Sequence, residues 1–120
     1  GTAMRKIEEE MVRAIARGSN LHKGNTSVEV DDGVPGMCTV RLHGNMIARV
    51  PIGFGNSMQF TLAGWNTPTT RSRVNALIGQ YVNNYVRCKD FEPIVGGLGV
   101  IRSSGIYHVD RKSGVYELPL

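Results

Sequence analysis

The chain has 120 residues, of which 41% are hydrophobic and 20% are charged, so it is long enough to bury one core and too short for two. This composition excludes a disordered or collagen-like chain, and the net charge of +4 argues against an acidic mimic of DNA. The sequence has no apolar run of the roughly 18 to 20 residues that cross a bilayer and no secretory signal, so we expect a soluble protein.

The first predicted element is an amphipathic helix over residues 5–17. Residues 1–3 precede Met4 and are interpreted as a cloning remnant, so the domain is expected to span residues 4–120. The helix is indicated by apolar residues at three- and four-residue spacing, namely Ile7, Met11, Ala14 and Ile15. Three glutamates at residues 8–10 suit the positive end of the helix dipole, and we interpret them as a solvated face.

Four strands are predicted between this helix and a second one. Residues 20–25 are predicted to be a polar loop, and alternating apolar residues then indicate strands over residues 27–30, 38–42, 46–50 and 58–62. Gly44-Asn45 is predicted to be a two-residue hairpin loop, which would place Leu42 opposite Ile47 and Val40 opposite Arg49.

The second helix is predicted to begin after Trp65, with Pro68 near its start, and to end at about Asn83. Residues 84–120 are predicted to form a β-rich extension of the same domain with two or three short strands, of which the last two form a hairpin. The predicted fold is therefore a single α+β domain. Its antiparallel sheet carries two helices on one face, in the order α-β-β-β-β-α followed by those C-terminal strands.

The start of the second helix is the segment most indicative of function. Two arginines in its first turn lie at the positive end of the helix dipole, where each costs from a few tenths to about 1 kcal/mol. A bound phosphate would offset this cost, and a base could stack on the nearby indole ring. The predicted anion site comprises Trp65, Thr69, Thr70, Arg71, Ser72 and Arg73.

A structural explanation of the same arginines remains open at this stage. One of them could pair with a carboxylate that the fold brings near, such as Glu29, Asp31 or Asp32. Trp65 would then be a core residue.

Other motifs indicate neither a metal site nor catalysis. Cys38 and Cys88 have no CxxC pattern and no histidine at a zinc-ligand spacing, so we expect two reduced thiols, with a disulfide as the alternative. The three histidines have no partner at catalytic spacing, and no nucleophile or phosphate-loop motif is matched. We therefore predict a protein without enzymatic activity, metal or cofactor.

Three blocks of the sequence resemble small tailed-bacteriophage proteins of unknown role. These blocks are KGNT at residues 23–26 followed by Val28, LHGNMIA at residues 42–48, and GWNTPTTRSRVNAL at residues 64–77. The resemblance covers residues 4–79 and has no counterpart in residues 80–120. It implies a viral protein made in the cytoplasm of an infected bacterium, and it implies no activity.

The leading hypothesis is a phage accessory protein that binds nucleic acid or a nucleotide, in host takeover or anti-defence. The alternative is an interaction module that inhibits a host protein. Its anchors would be exposed aromatic and arginine residues of the tail, namely Tyr107, Tyr116, Arg102 and Arg111. A third hypothesis is self-assembly into a homo-oligomer by pairing of exposed strand edges. No membrane partner is expected.

Overall fold

The computed structural model describes residues 4–118, so the predicted remnant at residues 1–3 and the last two residues of the predicted domain lie outside the described residues. The described residues form two helices and ten strands. The helices are α1 (Lys6–Arg17) and α2 (Pro68–Ile78). The strands are β1 (Leu21–Lys23), β2 (Thr26–Val30), β3 (Met37–Leu42), β4 (Asn45–Pro51), β5 (Ser57–Phe60), β6 (Val86–Lys89), β7 (Glu92–Val95), β8 (Gly99–Val100), β9 (Tyr107–Asp110) and β10 (Gly114–Glu117).

Seven of the strands form one antiparallel sheet in the order β1-β2-β3-β4-β5-β9-β10. The other three form a small antiparallel sheet in the order β6-β7-β8. Both helices pack on one face of the large sheet, α1 over β1 and β2 and α2 over β4, and they also contact each other. The predicted α+β class and the predicted C-terminal hairpin, formed by β9 and β10, are confirmed.

The structure has more strands than the sequence predicted. Five strands rather than four lie between the helices, because residues 21–23 of the predicted polar loop form the edge strand β1. Five strands rather than two or three follow α2. The additional strands are short or carry few buried side chains, so an alternating apolar pattern does not reveal them.

The core lies between the helices and the inner face of the large sheet. It follows from the two periodicities of the sequence, because every second residue of a strand and every third or fourth residue of a helix points inward. Fully buried members with large side chains are Met11, Ile15, Val28, Val40, Ile47, Val50, Met58, Phe60, Leu62, Leu77, Ile78 and Tyr107.

The hairpin between β3 and β4 differs from its prediction. Its loop is His43-Gly44, and both residues have positive φ, 51° and 80°, as a type I′ turn requires. Leu42 pairs with Asn45 rather than with Ile47, and a bulge at Ile47 restores the alternation further along. The predicted facing pairs were therefore wrong, and Val40 lies opposite Ala48.

The second helix is shorter than predicted. It ends at Ile78, and residues 79–81 form a turn instead of continuing to Asn83. Gly79 follows the helix directly and has right-handed backbone angles, φ −62° and ψ −15°. The first turn of α2 lies beside the tip of the β3–β4 hairpin, and its last turn lies beside β6.

Candidate ligand-binding site

The first turn of α2 satisfies most of its own polar groups. The Thr67 hydroxyl oxygen accepts a hydrogen bond from the Thr70 N–H at 3.1 Å, and the two hydroxyl oxygens lie 2.9 Å apart. Pro68 has no N–H to offer. Within residues 4–118, no hydrogen bond uses the N–H or the hydroxyl of Thr69, so these two groups can serve a ligand.

Ser72 and Arg73 do not face the ligand side of this turn, because both bind Glu8 of α1. The Ser72 hydroxyl donates to Glu8 Oε2 at 2.6 Å, and Arg73 Nη1 donates to the same oxygen at 2.8 Å. Arg73 Nε also donates to the Thr26 hydroxyl at 3.1 Å. The guanidinium of Arg73 therefore neutralises a carboxylate of the chain itself.

Glu8 was predicted to be solvated, and this prediction was wrong. Glu8 is only 2% exposed and Arg73 is 5% exposed, so this ion pair is buried. Burial acts to raise the pKa of Glu8, but hydrogen bonds from the Ser72 hydroxyl, the Arg5 N–H and Arg73 outweigh it, and the pKa lies below its ordinary value. Glu10, in contrast, pairs with Lys23 at the surface.

The structural alternative predicted that Arg71 or Arg73 pairs with a carboxylate, but it named Glu29, Asp31 and Asp32 and did not name Glu8. Asp31 pairs with Arg49 at 2.7 Å, and Glu29 pairs with Arg41 at 3.0 Å. The sequence does contain a pattern that indicates burial of Glu8. Glu8 precedes Met11 by three residues and therefore belongs to the buried face of α1.

Arg71 lies at the protein surface and contacts a loop rather than an acid. Its Nη1 donates a hydrogen bond to Oδ1 of Asn66, and Asn66 Nδ2 donates to the carbonyl of Phe91 at 3.2 Å. Arg71 and Asn66 thus join α2 to the turn between β6 and β7. This leaves most of the guanidinium donors of Arg71 available.

Trp65 is not a core residue. It is 60% exposed and stands at the rim of a cavity of about 390 Å³, which we call the Trp65 pocket. This volume lies within the range of roughly 300 to 1,000 Å³ that is usual for small-molecule sites. The pocket is lined by Leu42, His43, Asn45, Ile47, Leu62, Ala63, Trp65, Thr67, Thr69 and Thr70.

The pocket combines an apolar floor with polar groups at its edge. Leu42, Ile47 and Leu62 supply the floor. His43 and Asn45 come from the β3–β4 hairpin, and Thr69 from α2. A flat ring with hydrogen-bonding groups at its edge fits this chemistry, because the floor and the indole offer apolar surface for its faces and the polar side chains offer partners for its edge.

Of the six predicted site residues, the structure brings Trp65, Thr69 and Thr70 to this pocket and leaves Arg71 on the nearby surface. Sequence reasoning missed the contribution of the hairpin. Residues 42–47 alternate like any strand pair, and no local pattern indicates that the tip of this hairpin meets α2.

A second, larger depression of about 730 Å³ lies along β1, β2 and β3. Its lining includes the Glu29–Arg41 ion pair, and it contains no tryptophan, tyrosine or phenylalanine. The depression therefore offers only the small imidazole rings of His22 and His43 for stacking, whereas the Trp65 pocket offers an indole. We place the candidate site in the Trp65 pocket for this reason.

The predicted protein-docking anchors of the tail are mostly engaged within the chain. Tyr107 is buried, which corrects its prediction as an exposed anchor, and its hydroxyl accepts from the Arg102 N–H at 2.8 Å. Arg102 also pairs with Glu117, and Arg111 donates to two backbone carbonyls. Tyr116 is exposed and lies against His108.

The described residues contain neither a disulfide between the two cysteines nor a group of side chains placed to bind a metal ion. Cys38 is buried, Cys88 is exposed, and the two are not bonded to each other. Residues 4–118 hold no cluster of three or more His, Cys, Asp and Glu side chains placed to bind a metal ion. No helix among them is long and apolar enough to cross a membrane.

Comparison with known proteins places the chain in a family. No curated protein and no solved structure matches it. One family model, described as Kyanoviridae Gp96 protein, matches residues 4–112. The match extends well beyond residue 79, so most of the tail is part of the family and not specific to this chain. Because it covers most of the sequence, the chain belongs to the Kyanoviridae Gp96 family of phage proteins.

Proposed function

We propose that this phage protein is a non-enzymatic nucleotide-binding protein whose Trp65 pocket holds the base. The observation that carries the proposal is the 60% exposure of Trp65 at the rim of an apolar-floored cavity. Burial of a tryptophan stabilises a fold by its large apolar surface, and this chain leaves most of that surface in water. An exposed ring beside a cavity is available for stacking on a flat ligand.

The polar rim supports a nucleobase over a purely apolar molecule. The side chains of His43 and Asn45 present hydrogen-bonding groups at the edge of the pocket, where the edge of a base would lie. The Thr69 N–H and hydroxyl lie at the start of α2, where backbone donors and the helix dipole favour a phosphate. Arg71 lies two residues further along the same helix.

Arg73 has no part in this proposal, because its charge is used by Glu8. The phosphate-binding groups that remain are fewer than the sequence predicted. Stacking and edge recognition of the base therefore contribute most of the affinity. A role in host takeover or anti-defence, and action in the host cytoplasm, stay predictions.

The test compares variants of the pocket by equilibrium dialysis against labelled nucleoside monophosphates. Trp65→Ala is expected to weaken binding by about 5- to 150-fold, since stacking of a base on an aromatic ring is worth about 1–3 kcal/mol. Its stability is expected to change by less than about 0.5 kcal/mol, because the ring is exposed.

Tyr116→Ala is the matched control. It removes another exposed aromatic ring, which lies on β10 and does not line the pocket. Its affinity is expected to equal that of the unchanged protein. Equal binding by the Trp65→Ala variant, or failure of every nucleotide to bind, would refute the proposal, and capture of a host protein in place of nucleotide would favour the interaction module.

A further inference from the structure

The turn between β6 and β7 presents a phenylalanine directly to solvent. Lys89 and Glu92 are paired residues of the two strands, so Asp90 and Phe91 form a two-residue turn. Phe91 is 97% exposed. Both turn residues have positive φ, 52° for Asp90 and 65° for Phe91. This backbone conformation suits glycine and is unfavourable for a bulky side chain.

Phe91 therefore contributes no packing and adds backbone strain. A residue that costs stability without contributing to packing points to a role outside the folded chain. The turn is also held in place, because the Phe91 carbonyl accepts a hydrogen bond from Asn66 and Asn66 accepts one from Arg71. The ring is thus presented on a supported turn.

The position of this turn relates it to the Trp65 pocket. Asn66, which binds the Phe91 carbonyl, directly follows Trp65 in the chain. The backbone of the turn therefore lies close to the segment that carries Trp65, and Arg71 contacts the same asparagine.

Charge around the turn is weakly positive. Arg87 and Lys89 lie two residues apart on β6 and are both exposed. They point to the side of the strand opposite Cys88, whose Sγ lies 3.7 Å from Nδ2 of Asn66. Arg71, which binds Asn66, is therefore the basic side chain on the side of β6 that faces Asn66, and it is available to a phosphate there.

We infer that the ligand is a single-stranded oligonucleotide, with one base on Trp65, a second base on Phe91 and the linking backbone near Arg71. This inference rests on the proposed function and extends it from one nucleotide to a strand. Aromatic side chains beside basic residues are the usual means of binding single strands without reading their sequence, since every base has a face that can stack.

The test uses Trp65 as its own reporter, because it is the only tryptophan of the chain. Quenching of its fluorescence is followed during titration with thymidine monophosphate and with oligothymidylates of increasing length. The oligomers are expected to bind about 5- to 150-fold more tightly than the monomer, as one more stacked base predicts. Phe91→Gly is expected to abolish this difference and to leave the affinity for the monomer unchanged.

Phe91→Gly is chosen because glycine accepts positive φ, so the variant is expected to fold at least as well as the unchanged protein. Tyr85→Ala is the control, since it removes an exposed ring just before β6, at the end of the strand away from the turn. If Phe91→Gly binds long oligomers as tightly as the unchanged protein, the inference is wrong and the ring serves another partner, such as a protein pocket. Quenching by the monomer would in that case still support the proposed function. If neither the monomer nor any oligomer quenches Trp65, both the function and the inference fail.

Discussion

Glu8 links three elements of the fold through one carboxylate. It lies on α1, its Oε2 accepts from Ser72 and Arg73 of α2, and Arg73 reaches β2 through the Thr26 hydroxyl. Glu8 and Arg73 are 65 positions apart in the sequence. Their pairing could not be predicted from local pattern, although the spacing of Glu8 from Met11 does place it on the buried face of α1.

Removal of the Glu8 charge is expected to destabilise the protein strongly. Glu8→Gln leaves the buried guanidinium of Arg73 without a counter-charge, which typically costs about 3–5 kcal/mol. Glu10→Gln on the same helix breaks only the surface pair with Lys23 and is expected to cost less than about 1 kcal/mol. Urea unfolding of both variants measures the difference, and equal midpoints would show that the buried pair does not stabilise the fold.

The same carboxylate predicts a loss of stability in acid. Burial opposes ionisation of Glu8, but the hydrogen bonds that its carboxylate accepts hold the pKa of Glu8 in the folded protein below the ordinary value of 4.5. Its stabilising contribution is therefore complete above about pH 4.5 and is lost as the pH falls through the lower folded pKa. The unfolding midpoint of the unchanged protein is expected to fall over this range more steeply than that of Glu8→Gln.

Part of this acid sensitivity should persist in the Glu8→Gln variant. Asp31 and Asp110 also have a lowered pKa, since each accepts hydrogen bonds from backbone N–H groups of the turn that follows it. Parallel pH profiles of the two proteins would contradict the assignment to Glu8.

Among the elements, the long ones were predictable and the small sheet was not. The apolar spacing of α1 and the alternation in β2 to β5 follow directly from burial of one face. Strands β6 to β8 have two to four residues each, and Gly96 and Gly97 lie in the turn between β7 and β8. Strand β6 is joined to α2 by two side-chain hydrogen bonds, and Asn75 makes both of them with the backbone of Val86.

Asn75→Ala is expected to loosen the small sheet selectively. The Asn75 side chain accepts from the Val86 N–H at 2.6 Å and donates to the Val86 carbonyl at 2.8 Å. Val86 is buried, and leaving its N–H and carbonyl without these partners is expected to cost about 1–3 kcal/mol. Amide hydrogen exchange in residues 86–100 is expected to become faster, while exchange in β3 and β4 changes little.

Gln80→Ala is the control for this prediction, since the Gln80 side chain donates its hydrogen bond to the Ala76 carbonyl of α2 and not to β6. Exchange that rises equally in both sheets would show that Asn75 acts on the whole fold. Exchange that stays unchanged in residues 86–100 would show that the small sheet does not depend on Asn75.

At the scale of the whole molecule, the fold separates a packed face from a polar face of one sheet. Both helices cover the inner face. A row of paired residues crosses six strands on the other face, in the order Glu29, Thr39, Arg49, Gln59, His108 and Tyr116. The fold class was predictable from the spacing of apolar residues and from the order of acidic and basic residues along α1, because both depend only on residues close together in the chain.

The candidate site was predictable only in part. Trp65, Thr69 and Thr70 were identified, because the start of α2 and the aromatic residue before it are local features of the sequence. Part of the floor and of the rim comes from the β3–β4 hairpin, whose register depends on a bulge and a shifted loop. Tertiary contacts of this kind are not encoded in any short segment.

The most direct measurement is a two-dimensional amide NMR titration of the labelled protein with a nucleoside monophosphate. The single indole N–H of Trp65 gives a peak of its own, and the amide of Thr69, which also lines the pocket, gives a second reporter. Binding in the Trp65 pocket predicts that both peaks move together and saturate at one ligand concentration. Peaks of Trp65 and Thr69 that stay in place, whether or not others move on the polar face of the sheet, would contradict this assignment.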